Sequence, residues 1–95
     1  MKVLHLTLHK KWFDMILSGE KKEDYREAKP YWRKRLASQE YTHVRFVNGY
    51  GKHRAWMLVE LKCIGRSLGI IEWGAPMGKV VMMLTLGRVI ETGNI

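Results

Sequence analysis

The fold of this chain is decided by one stretch, Trp12-Phe13-Asp14-Met15-Ile16-Leu17-Ser18-Gly19-Glu20-Lys21-Lys22-Glu23-Asp24-Tyr25-Arg26. Its first half carries apolar residues at positions 12, 13, 16 and 17, which form one stripe of a helix over residues 10–18. Gly19 then ends the helix, since a glycine after the last turn tolerates a left-handed backbone. Residues 20–27 are polar except for Tyr25, and propensity alone favours a helix or a loop there.

Outside this stretch, alternating apolar residues predict strands. The predicted strands are residues 2–8, 42–47, 54–64 and 79–90, the last with Val81, Met83 and Leu86 facing inward. Asn48-Gly49-Tyr50-Gly51 is a turn signal, so 42–47 and 54–64 are expected to form a hairpin.

Pro30 suits the first turn of a second helix. Residues 65–69 are expected to be irregular, residues 72–78 to form a loop, and the last four residues to fray.

Motifs in four places together resemble the ASCH domain family. The family's Gly-x-Lys-x-x-Glu-x-Arg pattern reads Gly19-x-Lys21-x-x-Asp24-x-Arg26 here, with Asp24 in place of the usual glutamate. The other three places, in chain order, are Lys29-Pro30-Tyr31-Trp32, Glu60 in a Val-Glu-Leu strand, and residues 72–76 followed by 84–90, which look like the end of phage-type and bacterial members. The resemblance covers nearly the whole chain.

The resemblance implies an α+β fold: a small PUA-like β-barrel of about five strands with two short helices packed against it, formed by residues 1–95 as one domain. It also implies that residues 20–27 form a strand lining a cleft, despite their polarity. On a strand, Asp24 and Arg26 share a face. Lys21 begins the strand and can reach the same cleft, so the three side chains suit a ligand with phosphate or carboxamide groups. The alternative from the residues alone is a surface ion-pair set.

Two functions follow from this resemblance. The first is binding of RNA or a modified nucleoside. The second is hydrolysis, because one bacterial relative is an amidohydrolase acting on N4-acetylcytidine and another is described as a ribonuclease. The amidohydrolase's lysine and glutamate carry over to Lys21 and Glu60, but its threonine falls on Asp24. Acids at 24 and 60 would keep the pKa of Lys21 high and its amine charged, so either carboxylate could act as the base instead.

Charge and aromatic content favour the binding function. The net charge is +8, and residues 1–54 hold 13 basic and 6 acidic groups. Basic residues near aromatic ones are typical of single-stranded RNA binders. The candidate RNA contacts beyond the motif are Arg33, Lys34, Tyr50 and Lys52. Trp12, Trp32 and Trp56 are instead expected to pack in the core.

Other site classes find little support in the sequence. The histidines and the one cysteine, Cys63, lack metal-ligand spacing, so no metal is expected. No glycine-rich phosphate loop is present, and no nucleotide cofactor is expected. Cys63 is expected to be a buried thiol. The absence of an 18-residue apolar stretch argues against a membrane span, and the single cysteine fits a cytoplasmic setting.

Overall fold

A computed structural model describes residues 1–49 and 52–95. The elements follow the predicted order, strand-helix-strand-helix-strand-strand-loop-strand. Their bounds are β1 (Val3–Leu8), α1 (Lys10–Leu17), β2 (Glu23–Glu27), α2 (Pro30–Ala37), β3 (His43–Asn48), β4 (Trp56–Ser67), a 3-10 helix (Ile71–Trp73) and β5 (Val81–Gly93). The described residues therefore form an α+β fold with five strands and two α-helices.

The strands form one mixed, curled sheet in the order β1-β3-β4-β5-β2. β1 runs parallel to β3, and the other pairs are antiparallel, including the predicted β3–β4 hairpin. β1 and β2 are thus the two edges of the described sheet. The sheet therefore forms a half-barrel with an open seam between these edges, which is compatible with the small barrel that the resemblance implies.

The core is one cluster of apolar side chains on the inner face of the sheet. Phe13 and Ile16 of α1 and Leu36 of α2 pack there. Alternate strand residues complete it: Leu4, Leu6, Leu8, Val44, Phe46, Met57, Val59, Leu61, Met82, Leu84 and Leu86. Trp12 and Trp32 pack against this cluster but are only half-buried, and so is Trp56, which lies under Arg45.

The local predictions hold at the first helix and fail at the end of the chain. Gly19 follows α1 with a φ of +87°, as a helix-ending glycine should. The predicted irregular segment 65–69 begins inside β4, since residues 65–67 pair with β5. The last residues do not all fray, because Thr92 and Gly93 pair with Met57 and Trp56.

Two side-chain orientations also differ from the predictions. Met83 does not face inward, because a strand has a period of two and Met82, Leu84 and Leu86 occupy the buried face of β5. Cys63 is exposed rather than buried. Register shifts between β4 and β5 fall next to it, and an irregular ladder interrupts the alternation that would have turned this side chain inward.

Candidate functional site

A pocket lies at the seam between the two sheet edges. Its volume is about 360 Å³, and its walls come from the end of β1, from α1, from β2 and from the loop that carries Trp73. Thr7, His9 and Trp12 line it together with the three motif residues, Lys21, Asp24 and Arg26. The structure therefore brings Lys21, Asp24 and Arg26 together in one cavity.

Lys21 is placed by the end of α1. Gly19 turns the chain, and the Lys21 backbone N–H then donates to the Met15 carbonyl at 2.9 Å. The side chain is only 3% exposed, and its Nζ donates to the Trp73 carbonyl at 2.7 Å. The same Nζ lies 5.0 Å from the centre of the Trp12 ring and 5.1 Å from that of Tyr25, within the range of a cation–π contact.

Two glycines allow the loop to close over Lys21. Gly69 and Gly74 have φ values of +71° and +102°, in the left-handed region that favours glycine. A Cβ on Gly69 would lie 3.0 Å from the Tyr25 ring, and one on Gly74 would lie 3.0 Å from the Trp12 ring. The Tyr25 hydroxyl accepts a hydrogen bond from the Ile70 N–H at 3.0 Å, which ties the loop to β2.

Asp24 joins the two cations. Its carboxylate is buried, with Oδ2 accepting from Arg26 Nε at 2.9 Å and Oδ1 lying 3.9 Å from Lys21 Nζ. Arg26 also donates from Nη2 to the Thr7 carbonyl at 3.2 Å. This last bond crosses the seam from β2 to β1, so the motif arginine connects the two sheet edges.

The pKa of the Lys21 amine is lowered, contrary to the expectation that nearby acids keep it high. Burial is the largest cause of this lowering, the Asp24 carboxylate raises the pKa, and the Arg26 charge lowers it. Burial and a hydrogen bond to Glu23 raise the pKa of Tyr25 to about 12. A perturbed lysine beside a specific carboxylate in a cleft is typical of a functional site.

Glu60 lies elsewhere on the sheet. Its Oε1 accepts hydrogen bonds from Arg88, at 3.0 Å from the backbone N–H and 3.4 Å from Nε. The Arg88 backbone N–H lowers the pKa of Glu60. Glu60 lines a different cavity together with Lys22 and Lys62. In the described part of the chain, Asp24 is the acid of the Lys21 pocket, and Glu60 does not line that pocket.

Three of the remaining RNA-contact candidates, Arg33, Lys34 and Lys52, lie outside the pocket. Arg33 and Lys34 are exposed on α2, and Lys52 is exposed between β3 and β4. Tyr50 lies outside the described residues. Sequence reasoning did not place Thr7, His9 or Trp73 at the site. No spacing in the sequence links them to the motif, since Lys21 and the Trp73 carbonyl are 52 positions apart.

No group of three or more metal-binding side chains (His, Cys, Asp or Glu) clusters among residues 1–49 and 52–95. Within the same ranges, every helix is too short to cross a membrane. No protein-family model, curated protein or solved structure matches the chain. The residues of the Lys21 pocket and their geometry are therefore the main indication of what this protein binds.

Proposed function

We propose that this protein binds RNA or a modified nucleoside in the Lys21 pocket, as a member of the ASCH family with a PUA-like fold. One observation carries the proposal. A buried lysine, a buried aspartate and a partly buried arginine, in the order of the Gly-x-Lys-x-x-Asp-x-Arg motif, converge on the wall of a cavity beside Trp12. A volume of about 360 Å³ is at the lower end of the range for small-ligand sites, which suits one nucleoside.

The chemistry of the pocket wall matches that of a nucleobase. A carboxylate accepts hydrogen bonds from the amino groups of a base, and hydroxyl or guanidinium groups donate to its carbonyl oxygens. Thr7, Asp24 and Arg26 supply these groups, and Trp12 supplies a ring for stacking. The net charge of +8 would favour approach of a polyanion such as RNA.

The alternative is that the three side chains only hold the fold together. Lys21 does anchor the Trp73 loop, and Arg26 does cross the seam. However, replacing a buried ion pair by apolar residues of similar volume is often neutral or stabilising. Fold stability alone therefore gives little reason to keep two cations and a carboxylate at the wall of an open cavity.

A second candidate function is hydrolysis, and the lowered pKa of Lys21 favours it. Burial increases the fraction of neutral amine, which is the form that can accept a proton. In this chain the carboxylate near the amine belongs to Asp24, because Glu60 contacts Arg88 instead. An N4-acetylcytidine-type amidohydrolase or a ribonuclease would therefore pair Lys21 with Asp24, whose charge opposes deprotonation of the amine.

The test compares two variants that lose the same charge. Lys21→Met removes the buried amine, and Lys22→Met removes its exposed neighbour, which does not line the pocket. Binding of cytidine, N4-acetylcytidine and short single-stranded RNA is measured by calorimetry, and products are followed by chromatography. We expect Lys21→Met to weaken binding by about tenfold or more and Lys22→Met to leave it nearly unchanged.

Near-UV circular dichroism checks that Lys21→Met is folded, and Trp12→Leu provides a second pocket variant if it is not. Product that forms with the wild type and disappears with Lys21→Met would establish the hydrolase instead. Equal losses in the two lysine variants, or no binding of any of the three ligands by the wild type, would refute the proposal.

A further inference from the structure

A second cavity adjoins the Lys21 pocket on the α2 side of the seam. Its volume is about 320 Å³, and it shares Thr7 and Arg26 with the first. The rest of its polar lining comes from β1 and α2. We call it the arginine pocket and define it by His5, Arg26, Tyr31, Trp32 and Arg35. A ligand in the Lys21 pocket would have Arg26 between it and this second cavity.

Two guanidinium groups flank one indole ring in the arginine pocket. The guanidinium carbon of Arg26 lies 5.2 Å from the centre of the Trp32 ring, and that of Arg35 lies 5.3 Å from it. Arg35 Nη2 donates to the His5 carbonyl at 2.6 Å, which fixes the orientation of its planar group. The side chain of Arg35 is nevertheless half-exposed.

The charge balance of the arginine pocket is positive. Asp24 pairs with Arg26, whereas no carboxylate of the described residues lies within ion-pair distance of Arg35. A guanidinium has five N–H donors. Arg35 uses one on the His5 carbonyl and a second, at 3.4 Å, on the Tyr31 hydroxyl. Donors and an uncompensated charge therefore remain for an anion.

We propose that the arginine pocket binds the phosphate group of a nucleotide whose base occupies the Lys21 pocket. This inference rests on the proposed function and narrows it, because it makes the ligand a nucleotide or a phosphodiester of single-stranded RNA rather than a free nucleoside. Arg35 is the principal contact, since arginine binds phosphate through paired N–H donors. The Tyr31 hydroxyl, on the exposed side, can donate to the same group.

An alternative role for Arg35 is to cap the edge of β1. The His5 and Thr7 carbonyls point to the seam and accept from Arg35 and Arg26 respectively. One neutral donor per carbonyl would be enough for this purpose. The Asp24 carboxylate compensates the charge of Arg26, whereas Arg35 brings a second positive charge to the same ring without an ion-pair partner among the described residues. A bound anion therefore accounts for the charge of Arg35 better than edge capping does.

The experiment uses ligands that differ only in phosphate. Affinities for cytidine, cytidine 5′- and 3′-monophosphate and the dinucleotide CpC are measured for the wild type, Arg35→Gln and Arg66→Gln. Arg66 is the matched control, because it is an exposed arginine of β4 that lines neither pocket. We expect phosphate to tighten wild-type binding by about tenfold, Arg35→Gln to abolish that gain without changing cytidine affinity, and Arg66→Gln to keep the gain. If the monophosphates bind as tightly as CpC, the ligand is a nucleotide. If CpC binds more tightly than either monophosphate, the ligand is RNA.

Equal affinities for cytidine and its phosphates, or equal losses in the two arginine variants, would overturn the inference. A measurement on the wild type covers the case in which Arg35→Gln does not fold: inorganic phosphate should shift the NMR signals of the Arg35 Nε–H and the Trp32 indole N–H but not that of the Arg66 Nε–H. Phosphate-induced shifts without cytidine binding would show an anion site and refute the proposed function. Cytidine binding without any effect of phosphate would support the proposed function and refute the phosphate inference. If neither cytidine binding nor a phosphate effect is observed, the two proposals are refuted together.

Discussion

At the scale of single residues, the burial of Lys21 and Asp24 is the main energetic feature. Each side chain is only 3% exposed, and transfer of a charge out of water costs several kcal/mol unless it is compensated. The compensation is divided among a carbonyl, two aromatic faces and the Arg26 guanidinium. The stability of the buried pair depends on each of these partners. A change in the protonation of any of them therefore changes the free energy of unfolding.

Tyr25 carries the clearest pH dependence. Its pKa is raised from 10.0 to about 12 in the folded protein, so the unfolded chain releases the phenolic proton first. The contribution of Tyr25 to stability is therefore complete below pH 10 and is lost as the pH rises from about 10 to about 12. Urea unfolding of the wild type and Tyr25→Phe should show a steeper alkaline loss of the free energy of unfolding in the wild type.

The other titrating groups are present in the wild type and in Tyr25→Phe, so their contributions to the pH dependence of stability cancel in the comparison. One of them is Lys21, whose lowered pKa makes stability rise with pH, opposite to the effect of Tyr25. At neutral pH the variant should be less stable by about 1–2 kcal/mol, because it lacks the hydrogen bonds to Glu23 and Ile70. Parallel losses of stability in the two proteins above pH 10 would contradict the raised pKa of Tyr25.

At the scale of elements, the loop between β4 and β5 completes the pocket. It supplies the Trp73 carbonyl to Lys21, and its 3-10 helix is held through Tyr25 and Trp12. β2 owes its polarity to this arrangement, since the Asp24 side chain pairs with the buried amine of Lys21 and with Arg26. Intrinsic propensity favoured a helix or a loop for residues 20–27, because propensity takes no account of contacts with residues that are distant in sequence.

Gly69 and Gly78 offer a matched test of the packing of this loop. Both have a φ of +71°, so alanine introduces the same backbone strain at each position. A Cβ at Gly69 would lie 2.7 Å from the Ala75 Cβ and 3.0 Å from Tyr25, whereas one at Gly78 would meet no atom within 4 Å among the described residues. Chemical denaturation should show Gly69→Ala to be less stable than Gly78→Ala by about 1–3 kcal/mol. Similar stabilities would indicate that the loop is not packed on Tyr25.

At the scale of the whole molecule, the open seam determines where the sites lie. The sheet leaves β1 and β2 as edges, and two arginines satisfy the edge carbonyls of His5 and Thr7. Free edges of this kind are a liability that proteins usually cover. Here the covering groups also line the Lys21 pocket and the arginine pocket, so the incomplete closure of the sheet creates the space of both cavities.

Hydrogen exchange can distinguish an open seam from a barrel closed by backbone hydrogen bonds. Along β1, even-numbered residues bond towards β3, as the Leu8 carbonyl does with the Gly49 N–H, and odd-numbered residues face the seam. The Thr7 amide should therefore exchange about tenfold or more faster than the Leu6 amide of the same strand. Equal protection of the two amides, measured by NMR, would indicate a closed barrel.

The sequence by itself determined β1, β3, β4 and β5, the hairpin and the end of α1 at Gly19, because these features depend on local periodicity and turn residues, which a sequence displays directly. Local periodicity did not determine β2 or the grouping of Lys21, Asp24 and Arg26, which were expected only from the family resemblance. The tertiary structure alone decided that the sheet stays open, that Glu60 pairs with Arg88, and that the Trp73 carbonyl caps Lys21. Those outcomes depend on register and on contacts between distant segments. A one-residue shift in pairing turns a side chain to the other face of a sheet, and no local pattern encodes that shift.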